Sequence, residues 1–323
     1  MTIGPQEHYR GELAARRVRL EEAAAAAPHA EEVARLLGEV DAALRRLDEG
    51  RFGLCLTCGD PIEPERLAAD PLARFCLDHL STKEQRDLEA DLELARRIQR
   101  GFLPLGTRRV NGWRFETRYA PAGVVGGDYC DVAAVEDGTG VWFVVGDISG
   151  KGVAGSLLMS HLHAIFRSLL TAGLPIAALA QRANRLLCQH TLPASYATVL
   201  CGMAQPDGTV ELVCAGHCAP VLVSGGEARL VTASGLPMGL FCDTRYTAEA
   251  VRLRPGDELL LYTDGVPEAV NRFGEEFGVE RLLAVCRGAA GGDLTEAVMR
   301  EVERFREDMP PADDVTVFQA RLQ

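Results

Sequence analysis

The chain reads as an α+β protein whose antiparallel sheets are covered by helices, preceded by a helical hairpin and a small cysteine-bearing module. Three observations predict this. Short strand-like runs separated by turn residues recur beyond residue 110. Two pairs of helical segments, at about 152–191 and 279–308, interrupt them, and the first fifty residues are rich in alanine, leucine, glutamate and arginine at helical spacing. At 323 residues there is room for two or three compact units.

Residues 8–27 and 30–49 carry apolar side chains at helical intervals (Leu36, Leu37, Val40, Ala43, Leu47), and Pro28-His29 separates the two runs. A helical hairpin over 1–54 is the simplest reading, stopped by the glycines at 50 and 53. Cys55-Leu56-Thr57-Cys58, seventeen residues, and then Cys76-Leu77-Asp78-His79 give two knuckles at zinc-ribbon separation over 55–80. Cys55, Cys58, Cys76 and His79 make a closed tetrahedral set, so one structural Zn²⁺ is expected there, with no open position for chemistry. From 81 to 104 the pattern turns helical again. Leu88, Leu92, Ala95, Ile98 and Phe102 recur every three or four residues, Ser81 with Glu84 offers a capping box, and Pro104 ends the run. Such a stripe between two domains suits either packing on its own domain or a parallel coiled coil, hence a homodimer.

The ribbon resembles a known family. Leu47 to Cys55, Gly59-Asp60-Pro61-Ile62 and Arg66-Leu67 look like the zinc-finger end of the DksA/TraR family, hairpin included. Members bind RNA polymerase through acids at the hairpin tip, whereas the tip here, Ala23 to Pro28, is alanine-rich and lacks paired aspartates; the fourth ligand is His79 where many members carry cysteine. The resemblance therefore implies the zinc site and gives little support to polymerase binding.

Beyond residue 105 the expected order is two helices (152–171, 175–191), then strands at 196–204 and 209–215 joined by Gln205-Pro206-Asp207-Gly208. Strands at 219–224, 228–232, 246–253 and 258–263 come next, the last two linked by Arg254-Pro255-Gly256-Asp257 as a hairpin, then helices at 279–288 and 293–308 and a final strand. Four aspartate motifs lie along this stretch: Gly126-Gly127-Asp128-Tyr129-Cys130-Asp131, Gly146-Asp147-Ile148-Ser149-Gly150, Thr263-Asp264-Gly265 and Asp313-Asp314-Val315-Thr316. Apolar strand-type runs flank the last three, so their acids are expected at strand ends, where a rigid scaffold holds ligands for hard cations. Two Mg²⁺ or Mn²⁺ ions roughly 3.5–4 Å apart activate a bridging water for displacement at phosphorus.

Any one of these motifs is commonplace. In this order, and with Leu94 to Arg100, Leu103-Pro104, Ala215-Gly216-His217, Gly235 to Gly239 and Tyr262 to Ala269, they resemble the PPM-type metal-dependent serine/threonine phosphatases of the SpoIIE/RsbU branch over about residues 90–322. The resemblance implies a phosphatase domain of two antiparallel sheets flanked by helices over 105–323. Asp147 would bridge both ions, with the carbonyl of Ile148 on the second; Asp264 and Asp313 would complete the first site, and Asp128 would bind at or near the second. The nucleophile would be water, not a side chain. Asp131 and Asp314 fit supporting roles, and His217 invites a general-acid reading although its Gly-His turn looks structural in this branch. Lys151 replaces a common histidine, and Ile148 a common valine or glycine. The implied substrate is a phosphorylated STAS-type anti-anti-sigma protein in partner-switching control, with the zinc module regulating the enzyme. Two alternatives are a pseudophosphatase that only binds phosphoproteins and a transcription regulator acting at RNA polymerase through the zinc hairpin.

Composition narrows the classes further. Hydrophobic residues make up 47% and charged ones 25%, ordinary for a globular protein. A net charge of −12 and a pI near 5.1 disfavour direct nucleic-acid binding. No apolar leader and no run of 18 apolar residues stands out, so no membrane partner and a cytoplasmic location are expected. Single cysteines in apolar segments (Cys188, Cys201, Cys214, Cys242, Cys286) read as small core residues.

Overall fold

In the computed structural model the chain forms two compact units, Met1–Asp91 and Leu92–Gln323. The structure describes residues 5–26, 31–79, 82–135, 138, 140–150, 152–190, 195–307 and 309–323. The end of the hairpin tip at 27–30, the capping residue Ser81 and Lys151 lie outside these.

In the first unit, helices α1 (Pro5–Ala26) and α2 (Glu31–Asp48) pair as a hairpin. Leu13, Val40, Ala43 and Leu47 face one another, and the same cluster takes in Phe52, Cys55, Ile62, Leu67, Ala73 and Cys76 of the ribbon. Hairpin and ribbon thus share one small core. Exposed ion pairs Arg10–Asp48 at 2.7 Å and Arg17–Asp41 at 2.8 Å run across the helices and add little. A short helix α3 (Pro64–Ala69) starts on Pro64, whose missing N–H costs nothing at a first turn. Helix α4 (Thr82–Phe102) begins in this unit and ends in the next.

The second unit is a sandwich of two wholly antiparallel sheets. One has six strands in the order β1 (Gly106–Val110), β2 (Trp113–Ala120), β11 (Val315–Leu322), β10 (Glu258–Tyr262), β7 (Val221–Ser224), β8 (Glu227–Leu230). The other has five, β3 (Tyr129–Ala134), β4 (Val141–Ile148), β5 (Ala197–Ala204), β6 (Thr209–Ala215), β9 (Glu249–Arg252). Between the sheets lie Trp113, Phe115, Phe143, Leu212, Leu261 and Phe318, all buried. Gly202 sits opposite Phe143 in the β4–β5 register, and a side chain there would collide with that ring. Helices α5 (Gly152–Leu170) and α6 (Ile176–His190) cover the five-stranded sheet through Met159, Leu162, Phe166, Leu179 and Ala183. Helices α7 (Gly278–Gly288) and α8 (Leu294–Arg306) cover the other through Leu282, Cys286, Val298 and Val302. By length and composition α5 is apolar enough to cross a membrane, yet its apolar stripe is packed in this layer.

Two expectations need correction. The strands on either side of Arg254-Pro255-Gly256-Asp257 are not a hairpin: β9 pairs with β6 and β10 with β7 and β11, so the turn carries the chain from one sheet to the other. Leu253, buried between the sheets, is the pivot, and an apolar residue at that point suits a crossover as well as a hairpin. Cys242 is not core but exposed, and Cys188 is only half-buried. The hairpin β1–β2, strand β3 and helix α3 are additions to the sequence reading. Strands β1 and β3 are short, and β1 is exposed along most of its length, so neither carries a clear alternating pattern.

Candidate metal centres

Four chain segments meet where the two sheets end. Asp128 directly precedes β3, Asp147 is the penultimate residue of β4, Asp264 lies two residues after β10, and Asp313 two before β11. Loop closure between sheets, not sequence proximity, gathers them.

Asp128 is the most deeply held. It is fully buried, and its Oδ2 accepts hydrogen bonds from the hydroxyls of Thr316 at 2.6 Å and Thr263 at 2.9 Å. The Thr316 amide donates to Thr263 Oγ1 at 2.9 Å, so β10, β11 and the Asp128 loop are laced together. Burial pushes the Asp128 carboxyl well above its ordinary range against the pull of the Thr316 hydroxyl, and Asp147 and Asp314 push it further. For Asp147, burial and then Asp264, Asp313 and Asp314 raise the pKa to about 7. These are the signs of several carboxylates confined together.

Asp314 does a different job. Its two oxygens accept from the amides of Ala122 at 2.8 Å and Gly127 at 2.6 Å, which fixes the loop before Asp128. Gly127 allows the close approach: a Cβ there would stand 2.8 Å from the Ile148 carbonyl oxygen and 3.3 Å from that of Gly150. Gly265 serves the Asp264 turn in the same way, since a side chain would run into the Asp314 carbonyl. Buried Gln99 of α4 grips the loop from another side, donating from Nε2 to the Gly126 carbonyl at 2.6 Å and accepting from the Gly126 amide at 3.2 Å.

The remaining acid of the Gly-Gly-Asp motif points elsewhere. Asp131 on β3 takes two hydrogen bonds from Arg167 of α5, both 2.6 Å, and one from the Val132 amide at 2.7 Å. His163 Nδ1 stands 3.5 Å away, with its ring stacked on Phe102. Asp131 therefore clasps helix to sheet and is no ligand. His217 is also structural: buried, bonded through Nδ1 to Thr198 Oγ1 at 2.9 Å, and lowered by burial to about 4, so at neutral pH it is the neutral imidazole and not the imidazolium a general acid would use. Three nearby residues had no role in the sequence reading. Thr263 and Thr316 stand inside the acid motifs and look like strand residues until the fold shows both hydroxyls on Asp128. Glu268, exposed at the rim, is raised by partial burial and then by Asp264.

The donor set fits hard divalent cations. It is all oxygen, it includes a backbone carbonyl kept clear by Gly127, and the raised Asp147 shows charge that such ions would relieve. Asp128, Asp147, Asp264, Asp313 and the Ile148 carbonyl are the residues that would hold them. A second set is more compact in chemistry and place: the candidate ligand atoms of Cys55, Cys58, Cys76 and His79 all lie within 4.8 Å of one another.

At the ribbon, Cys58 Sγ lies 3.9 Å from Cys76 Sγ, and Cys76 Sγ 3.2 Å from His79 Nδ1. Each knuckle is closed by backbone bonds, Gly59 N to Cys55 O at 2.9 Å and His79 N to Cys76 O at 3.0 Å, and the Leu56 amide bonds Arg74 O at 2.9 Å to join them. Three thiols and an imidazole in this arrangement suit zinc.

Residues 137–323 match the family model described as Stage II sporulation protein E (SpoIIE), and residues 50–78 match the prokaryotic dksA/traR C4-type zinc finger, a stretch that ends one residue short of His79. Protein IcfG of Synechocystis sp. is 24% identical over 260 residues, which are 71% of this chain and 41% of the relative. Phosphoserine phosphatase RsbU of Bacillus subtilis is 22% identical over 242 residues, 73% of this chain and 71% of the relative. The solved SiaA-PP2C domain of Pseudomonas aeruginosa superposes with a TM-score of 0.64 at 23% identity, over 74% of this chain and 98% of that domain. The chain thus spans less than half the length of IcfG and most of RsbU.

Two outcomes follow from the centres. With no Mg²⁺ or Mn²⁺ present, folded Asp147 keeps its proton up to about pH 7, while the unfolded residue releases it near 4. The folded chain then binds more protons between these limits, so stability present below about pH 4 is lost as pH rises through 7. The melting temperature should fall between about pH 5 and pH 8, and Asp147→Asn should flatten that slope; an unchanged slope would remove Asp147 from the repulsive centre. At the ribbon, Cys55→Ser should lower the zinc content by about one ion per chain and loosen the first unit to proteolysis, because metal binding and folding are coupled in such modules. Full zinc retention would take Cys55 out of the ligand set.

Proposed function

The chain belongs to the SpoIIE family of PP2C-type phosphatase domains, and from that premise we propose that it is a metal-dependent protein serine/threonine phosphatase acting on a phosphorylated STAS-type anti-anti-sigma protein, with the zinc module as its regulator. The observation that carries this reading is the convergence of acids from four distant segments on one end of the sandwich, with Asp147 raised to about 7 by burial and by its neighbours. A chain kept only for binding phosphoproteins would have no physical need for that repulsion.

Bound Mg²⁺ or Mn²⁺ ions supply an activated water and neutralise charge on the phosphoryl oxygens. The chain's own part is to fix the cage before substrate arrives. Thr263 and Thr316 orient Asp128, Asp314 and Gln99 anchor the loop that carries it, and β4, paired on both sides by β3 and β5, presents Asp147 and the Ile148 carbonyl from its end. Such preorganisation leaves little reorganisation for the chemical step. Cys218, which adjoins Asp264 and Glu268 and is pushed up to about 12 by burial and those acids, stays a thiol and is no nucleophile.

Gln99 also supports the regulatory part of the reading. Through it the second half of α4 bears on the Asp128 loop, so a change in the position of that helix would reach a ligand directly. Leu88, Leu94 and Ile98 are exposed on α4, which supports a homodimer formed through this helix. The reading places the protein in the cytoplasm.

The primary test is hydrolysis of p-nitrophenyl phosphate, and of a STAS-domain protein phosphorylated on serine, by the full-length chain with Mn²⁺, with Mg²⁺ and after chelation. Asp147→Asn should lower metal-dependent turnover by about 100-fold or more, as losses around metal sites do. Turnover indifferent to metal and to this substitution would sink the mechanism; turnover of the small ester with the STAS phosphoprotein left intact would remove only the substrate. Sedimentation should give a dimer that Leu88→Glu with Leu92→Glu converts to a monomer, and a wild-type monomer would end the coiled-coil reading.

A further inference from the structure

The segment after Met238 is fastened to α6 by one face of that helix. Asn184, fully buried, accepts from the Gly239 amide at 2.8 Å and donates to the carbonyls of Phe241 at 2.8 Å and Cys242 at 3.3 Å. One turn further on, the Cys188 thiol donates to the Gly239 carbonyl at 3.4 Å. Residues four apart share a helix face, so the stretch from Gly239 to Cys242 lies across Asn184 and Cys188 together. Cys242, whose carbonyl Asn184 holds, is thereby kept on the helix face that carries Cys188, and the two side chains are neighbours.

These two thiols differ from the others of the sandwich. Cys130, Cys201, Cys214 and Cys286 are buried, and half-buried Cys218 adjoins Asp264 of the metal centre, whereas Cys242 is exposed and Cys188 half-buried, and neither has a part in the metal centres. We propose that Cys188 and Cys242 are a dithiol oxidised by peroxide, whose disulfide staples the 239–242 segment to α6.

The chemistry balances with hydrogen peroxide as oxidant. Exposed Cys242, as thiolate, attacks one peroxide oxygen; the S–O bond forms, the O–O bond breaks, and the departing hydroxide takes up the thiol's proton as water. Cys188 sulfur then attacks the sulfenic sulfur of Cys242; the S–S bond forms, the S–O bond breaks, and hydroxide leaves with the Cys188 proton as a second water. One peroxide is reduced, two thiols are oxidised. The order follows from access: Cys188 is held as a thiol, pushed up to about 11 by burial and by the neighbouring Cys242, so Cys242 reacts first and Cys188 resolves it.

The staple would bear on a strand that matters. Met238 exchanges backbone hydrogen bonds with Ala197 at 2.9 and 2.8 Å, and Ala197 pairs with Ile148 across β4 and β5. Oxidation would therefore lock the outer support of the strand end that carries Asp147 and Ile148.

The test uses the full-length, zinc-loaded chain exposed to a small molar excess of hydrogen peroxide, followed by blocking of free thiols, digestion and mass spectrometry. The expected product joins the Cys188 and Cys242 peptides with loss of two hydrogens and reverts with dithiothreitol. In Cys188→Ser the cross-link disappears and Cys242 accumulates as its sulfenic and sulfinic acids. Wild-type chain in which Cys242 passes to sulfinic acid while Cys188 stays alkylatable overturns the proposal. So does chain in which both remain free thiols, or in which either is joined to another cysteine.

Discussion

Carboxylates crowded together in a water-poor place repel one another and resist ionisation, and the second unit is built around tolerating this. Burial, and after it the neighbouring acids, pushes Asp128 and Asp147 well above the ordinary carboxylate range. Such a centre persists only if the surrounding structure is more stable than the centre is costly. Here the surroundings are two fully antiparallel sheets with an aromatic core between them and a helical layer on each outer face.

The cost is also limited by what each acid is bonded to. Asp314 is neutralised by two amides, Asp131 by a bidentate arginine, and Asp128 by two hydroxyls. Charge-assisted bonds of this kind offset much of the penalty of burying a carboxylate. Asp147, Asp264 and Asp313 are left less deeply buried, where water and cations can reach them. Asp131 and Asp314, with both oxygens taken by protein donors, serve structure, whereas Asp128, bonded through Oδ2, stays with Asp147, Asp264 and Asp313 among the acids that would hold ions.

The first unit solves an opposite problem. A hairpin and ribbon of this size bury too little apolar surface to be stable by themselves, and its core holds only about ten residues of modest size. Cys55 and Cys76 belong both to that core and to the sulfur cluster, so a zinc ion there would tie the ribbon's folding to the hairpin's.

The sequence by itself determined the element types and the chemistry. Helical spacing marked α1, α2 and α4 to α8, alternating apolar runs marked most strands, and the two cysteine knuckles declared a metal site because soft ligands at that spacing have few other uses. It also singled out Asp128, Asp147, Asp264 and Asp313, through the resemblance that their motifs carry when taken together in this order and not through any one motif alone. Tertiary structure alone decided the rest. Which sheet β9 and β10 join, that Asp131 meets Arg167, that Thr263 and Thr316 hold Asp128, and that Asn184 holds the segment carrying Cys242 all depend on contacts between residues far apart in the chain. Periodicity reports which face of an element is buried, but hydrogen-bond partners across a fold are set by register and crossover, and these leave no periodic trace in a single sequence.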